Sequence, residues 1–292
     1  MNKLRGTGVA IVTPFDENGI IDYNGISKLI DHIKKGGVDF VVLLGTTGES
    51  AVCSANEKQD LLVYVKEKLG GEMPLVLGMG GNNTAGLLEQ IAQTDFSGID
   101  AILSVSPYYN KPSQEGIYQH FKAVAENTPV PVIVYNVPGR TSSNMTAETT
   151  IRLANDFENI IGVKEASGDM VQCMEIIRDR PEGFLVLSGD DALTLPMVLM
   201  GGDGVISVHA MACPRNFSDM VRAGLAGENI KARSLHYKQL ELIETLFIEG
   251  NPGGVKSALK HLNICSDHLR LPLVKVSKET DQKIKRLLSG LA

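Results

Sequence analysis

Residues Ile160-Ile161-Gly162-Val163-Lys164-Glu165-Ala166-Ser167 open as an apolar strand and then place a lysine where that strand should still be buried. A continuous apolar run reads as a strand covered on both faces, the pattern of a parallel sheet wrapped by helices. An ammonium in such a place is costly to desolvate, so the neutral amine is favoured and its pKa should fall. A neutral lysine amine attacks carbonyl carbons and forms Schiff bases. The competing reading ends the strand at Lys164 and lets the side chain snorkel to water. The segment alone leaves both readings open.

Outward from this strand the same unit recurs in both directions. Apolar runs at Gly8–Pro14, Phe40–Leu44, Leu75–Leu77 and Ala101–Val105 precede it, followed by Pro131–Tyr135. Phe184–Leu187 and Gly204–Val208 come after it. Amphipathic stretches alternate with them. Tyr23–Lys35 carries Ile26, Leu29, Ile30 and Ile33 on one helical face, and Ser54-Ala55-Asn56-Glu57 is a capping box. Helical periods also cover Thr84–Gln93, the stretch from Ser113 to Ala125, Ala147–Asn155 and Met170–Arg178, with a short helix around Pro196. Eight βα units in succession predict an α/β fold, a (β/α)8 TIM barrel whose strands close on themselves. An open doubly wound sheet is the runner-up, but no Gly-x-Gly-x-x-Gly turn follows the first strand. The sequence from Asn216 on carries only helical periods, at Asn229–Ile248, Gly254–Leu262 and Glu279–Leu288. We therefore expect a barrel over residues 1–215 and a small helical C-terminal layer over 216–292.

Composition narrows the class. The chain has 292 residues, 43% of them hydrophobic, and a net charge of −6 with no basic block, which argues against nucleic acid as partner. No apolar run approaches the ~18 residues a membrane helix needs. The segment Met1–Gly6 lacks a signal-peptide core, and the four cysteines are far apart without a CxxC pair. These features lead us to expect a soluble cytoplasmic protein with reduced thiols.

In a TIM barrel, chemistry collects at the C-terminal strand ends and the loops after them. Strand two ends in Thr46 and Thr47, strand four in Tyr109, and strand five in Tyr135 followed by Arg140. Strand seven leads into Gly189, Asp190 and Asp191, and strand eight carries Ile206 and Ser207. An amine, hydroxyls, phenols and a guanidinium therefore share one rim with Lys164. No histidine pair or carboxylate cluster joins them, so no metal is expected.

Four rim motifs, taken in order, carry a resemblance. They are Gly45-Thr46-Thr47-Gly48-Glu49, Ser106-Pro107-Tyr108-Tyr109-Asn110-Lys111-Pro112, Tyr135-Asn136-Val137-Pro138-Gly139-Arg140-Thr141 and Gly162-Val163-Lys164-Glu165-Ala166-Ser167. The set resembles the 4-hydroxy-tetrahydrodipicolinate synthase family, among the pyruvate-dependent class I aldolases that include N-acetylneuraminate lyase. The resemblance implies condensation of pyruvate with L-aspartate 4-semialdehyde, the first committed step of diaminopimelate and lysine biosynthesis. It implies no cofactor beyond the Schiff base on Lys164. Tyr135, Thr46 and Tyr109 would form a proton relay, with Tyr109 entering a neighbouring subunit's site in a homo-oligomer, a tetramer built from dimers. Thr47 would hold the pyruvate carboxylate, Arg140 the carboxylate of the semialdehyde, and Gly189 and Ile206 would line the pocket. A phenol near an imine can give and take a proton if hydrogen bonding lowers its pKa. A related aldolase acting on a sugar acid or a hydroxyproline-derived substrate is the alternative; such lyases generally lack the arginine that stands here at Arg140.

Two departures from the family pattern stand out. Lysine-inhibited members have histidines after the GTTGES motif, where this chain reads Val52-Cys53-Ser54-Ala55-Asn56-Glu57-Lys58, and a glutamate where this chain has Gly86. Ser50, Ala51, Asn82 and Tyr108 remain as a possible allosteric remnant, and weak or absent lysine feedback is expected. The second departure, Asn251-Pro252-Gly253-Gly254, lies in the helical layer and is expected to bear little on function.

Overall fold

The computed structural model describes residues 2–291. Its first half contains β1 (Gly6–Ala10), α1 (Tyr23–Lys35), β2 (Phe40–Leu43), α2 (Ala55–Leu69), β3 (Leu75–Gly78), α3 (Thr84–Gln93), β4 (Ala101–Val105) and α4 (Gln114–Asn127). The second half begins with β5 (Val132–Asn136), the short α5 (Pro138–Thr141), α6 (Ala147–Asp156), β6 (Ile160–Glu165) and α7 (Met170–Asp179). It closes with β7 (Leu185–Ser188), α8 (Thr194–Leu199), β8 (Gly204–Ser207) and α9 (Pro214–Leu225). The strands run parallel in sequence order and β8 pairs back onto β1, so the sheet is a closed barrel.

Closure follows from the sequence's alternation. Ala10, Val42, Val76, Leu103, Ile133 and Leu187 fill the barrel interior, while Val9, Val41, Ile102, Val134 and Val186 pack beneath the helices. The expected capping box forms at Ser54 and Glu57, and the helices from Tyr23 and Thr84 begin and end where their periodicity says. The first strand differs: it covers Gly6–Ala10 because Gly6 pairs with Gly204, and Ile11 and Val12 are buried apolar residues of the following loop.

β6 breaks the alternation once. Ile160 pairs with Val132, yet Gly162 pairs with Ile133, leaving Ile161 as an extra residue. Strict alternation would turn Lys164 to the helix side with Ile160. The extra residue shifts the phase, so Val163 faces the helices and Lys164, in register with Tyr135, shares that tyrosine's inward side. Gly162 is required there, because a Cβ would lie 2.7 Å from the Leu185 carbonyl oxygen.

One residue further on, Asn136 and Glu165 pair in register, buried behind the rim. The Glu165 carboxylate accepts hydrogen bonds from Asn136 Nδ2, Gln172 Nε2 and the Ser167 N–H at 2.7–3.1 Å. Burial pushes its pKa up while these donors pull it down. This lattice ties β5 to β6 just behind the Tyr135–Lys164 pair.

The remaining helices, α10 (Asn229–Phe247), α11 (Gly253–His261) and α12 (Lys278–Ser289), gather around Ala212, Leu242, Leu246, Ala258 and Ile284. Helix α9 packs on β1, β8 and α1, with Phe217, Met220 and Val221 in the main core. It is the barrel's eighth helix. The expected boundary at 215/216 falls inside it, so we place the division after Leu225. No helix among the described residues is long and apolar enough to cross a membrane.

Candidate active site

The C-terminal strand ends open into a cavity of about 1470 Å³. Lys164 lines it at 6% exposure. Its amine makes no hydrogen bond among the described residues and stands 4.4 Å from the centroid of the Tyr135 ring. Burial lowers its pKa to about 8; the Asp191 carboxylate opposes this fall and the Arg140 guanidinium adds to it. The snorkelling alternative therefore fails, because the side chain stays inside the barrel's mouth.

Tyr135 lines the same cavity from the neighbouring strand. Burial pushes its phenol up to about 12, with Arg140 pulling the other way and Glu165 adding to the rise. No lowering by hydrogen bonding is seen: among the described residues no hydrogen bond reaches the Tyr135 hydroxyl, and burial favours the neutral phenol. Amine and phenol are pushed apart, so the phenol keeps its proton at a pH where the amine has shed one.

After β2 the chain enters a 3-10 turn, Thr46–Gly48, that forms another wall of the cavity. Leu44 (φ 59°) and Glu49 (φ 51°) flank it in the left-handed region, a costly backbone for such side chains. Tertiary contacts hold the turn. Thr13 Oγ1 donates to the Gly48 carbonyl at 2.6 Å, and Asn251 Nδ2 donates to Thr47 Oγ1 at 2.8 Å. The buried Glu49 carboxylate accepts from Lys256 Nζ and from the Arg270 N–H.

Arg140 lines the cavity from α5, with its side chain exposed. Gly189 lines it after β7, where a Cβ would lie 3.0 Å from Lys164 Cε and 2.6 Å from Ala166 Cβ. Any side chain there would push on the lysine stem. Ser50, Ala51, Asn82 and Tyr108 line the same cavity, as does Gly86.

Ile206 and Tyr109 do not line this chain's own cavity. Ile206, at 1% exposure, packs in the barrel's inner apolar layer, in the cluster that includes Tyr135, its side chain part of the core. Tyr109 points away: it is 87% exposed, with φ of 72°, and no hydrogen bond joins it, Thr46 and Tyr135 among the described residues. The three-membered relay is not assembled within one chain.

Two residues have a larger share in the site than the sequence assigns them. Asp191, placed after strand seven but given no role, is buried and lines the cavity two residues beyond Gly189. Asn251, expected to bear little on function, lines the cavity and bonds Thr47 across 204 positions of sequence, a separation no local pattern reveals.

A barrel that buries an easily deprotonated lysine beside a phenol, with a guanidinium at the rim, defines a lyase of the class I aldolase type. Comparison with known proteins gives the family. The model of the dihydrodipicolinate synthetase family matches residues 3–291. A 4-hydroxy-tetrahydrodipicolinate synthase of Flavobacterium psychrophilum is 51% identical over 284 residues, 97% of either chain. One from Parabacteroides distasonis is 49% identical over 290 residues, 99% of this chain and 98% of its own. The crystal structure of dihydrodipicolinate synthase from Thermotoga maritima superposes with a TM-score of 0.96 at 39% identity, covering 99% of both chains. The chain belongs to the dihydrodipicolinate synthetase family and, with it, to the lyases that make 4-hydroxy-tetrahydrodipicolinate for lysine and diaminopimelate biosynthesis.

Proposed function

We propose that Lys164 is the Schiff-base residue that joins pyruvate to L-aspartate 4-semialdehyde in this chain. The carrying observation is the buried amine, lowered to about 8 and free of hydrogen bonds among the described residues, beside Tyr135. The Nζ lone pair adds to the pyruvate ketone, whose oxygen takes a proton from the Tyr135 phenol; loss of water leaves a protonated imine. The Tyr135 phenolate takes a methyl proton to give the enamine, whose carbon adds to the semialdehyde carbonyl as the carbonyl oxygen takes that proton back. The substrate's own amine then displaces Lys164 as the ring closes, restoring the free lysine.

Thr47 and its turn hold the pyruvate carboxylate, and Arg140 takes the semialdehyde carboxylate with its planar fork. Thr46 and Tyr109 complete the relay, Tyr109 from a second copy of the chain. Its exposure, and its absence from its own cavity, suit that part. Ser50, Ala51, Asn82 and Tyr108 line the cavity without the histidines of lysine-inhibited relatives, so lysine feedback is expected to be weak or absent; inhibition by micromolar lysine overturns this.

Borohydride reduction with pyruvate, followed by peptide mass mapping, tests the reading. A pyruvyl adduct on Lys164 is expected; an adduct elsewhere, or none, overturns it. A coupled assay with aspartate semialdehyde tests the second substrate.

A further inference from the structure

Asp191 takes no part in the chemistry proposed above, yet it is the carboxylate whose charge bears on Lys164. It lies two residues beyond Gly189, in the loop after β7, and is 3% exposed. Oδ2 is fixed by the Val208 N–H at 3.1 Å and the His209 N–H at 2.8 Å. Oδ1 is buried and makes no hydrogen bond of good geometry among the described residues; burial pushes the carboxyl up to about 6, and the Ser207 hydroxyl and the two N–H groups pull against that rise. A carboxylate oxygen so weakly held at a cavity wall is expensive unless something there uses it.

The reaction creates such a use. Imine formation converts a neutral amine into a cationic, protonated imine inside the cavity, and a fixed anion in low dielectric favours that charge. The other charged and titratable groups facing the pair are Arg140 from α5, Tyr135 from β5 and Asp190 beside Asp191. Glu165 faces away into its amide lattice, and Glu49 is held by Lys256. Among the described residues, Asp191 is left as the buried anion available to the imine nitrogen.

We propose that Asp191 is a positioning residue that supplies the counter-charge for Lys164, favouring the protonated imine over the free amine. The proposal rests on Lys164 being the Schiff-base residue. Asp191→Asn tests it, because the amide oxygen can still accept the Val208 and His209 N–H bonds while the charge is lost.

Removing a nearby anion lowers the lysine's pKa further, so the acid limb of kcat/KM should move to lower pH, by about one unit. Borohydride-trappable adduct should form about tenfold more slowly at the pH optimum. Asp191→Glu, which keeps the charge, should hold the limb near its wild-type position. If Asp191→Asn does not fold, Asp191→Ser, a smaller neutral acceptor, is read the same way. An unmoved or raised limb with wild-type trapping rates overturns the proposal. Failure of the wild type to trap pyruvate at Lys164 would instead overturn the Schiff-base reading on which it stands.

Discussion

Two lysines of this chain are buried beside aromatic rings, and they behave as opposites. Lys164 on β6 stands 4.4 Å from the Tyr135 ring centroid, and Lys256 on α11 stands 4.4 Å from that of Phe15. Lys256 is wholly enclosed, but its ammonium donates to the Glu49 carboxylate and to the His268 carbonyl. Lys164 has no such partners among the described residues, only the charge of Asp191 nearby. Burial lowers the pKa of both, and at Lys256 the bonded carboxylate offsets only part of the fall. A buried amine with its hydrogen bonds satisfied is a structural tie; one left unsatisfied in a cavity is a nucleophile. Burial alone does not separate them.

The largest expected effect comes from breaking the first member. Lys164→Met removes the nucleophile and should cut turnover on the order of a thousandfold or more. It should not unfold the barrel. The lysine's pKa is about 8 in the fold against an ordinary 10.5, so between those values the unfolded chain binds more protons than the folded one. Stability from this group is therefore lost as pH falls from 10.5 toward 8. Lys164→Met should abolish that slope and raise the unfolding free energy at neutral pH by about 1–3 kcal/mol, measured by denaturant titration at several pH values.

Breaking the second member should do the reverse. Lys256→Met leaves Glu49 charged and buried without its cation, at a cost of about 3–5 kcal/mol. Pairing it with Glu49→Gln should recover most of that loss, because no charge is then stranded. If Lys256→Met matched the wild type in denaturant titration, the distinction between the two lysines would collapse.

Much of this was legible in the chain. Eight apolar runs gave the barrel, and the residues closing strands two, five, six and seven gave Thr46, Thr47, Tyr135, Arg140, Lys164 and Gly189, all of which line the cavity. Three things were not legible, each for a physical reason. The extra residue Ile161 is a matter of register between strands, which a single strand's pattern does not encode, although it turns Lys164 inward. The direction of Tyr135's shift depends on which groups fail to reach its oxygen, and sequence lists only candidates. The clasp of Asn251, Lys256 and Arg270 on the Thr46–Glu49 turn joins parts of the chain some 200 residues apart. Ile206, read as a rim position at the end of its strand, packs in the barrel's inner layer.

That clasp supplies the smallest expected effect, and it sharpens the comparison most. If the Lys256 region is purely a tie, its neighbour Asn251 should act on the substrate only through the turn it holds. Asn251 Nδ2 donates to Thr47 Oγ1 at 2.8 Å, and a neutral hydrogen bond of this kind is worth about 1 kcal/mol. Asn251→Ala should therefore raise the KM for pyruvate about fivefold, the loosening expected from one lost bond, with kcat within about twofold of wild type. The acid limb set by Lys164 should stay put, because no charge has moved. Steady-state kinetics across pH separates the outcomes. A fall in kcat exceeding the rise in KM would mean that the C-terminal layer reaches the reacting atoms as well as the turn, and the contrast between the tie and the nucleophile would have to be redrawn at Asn251.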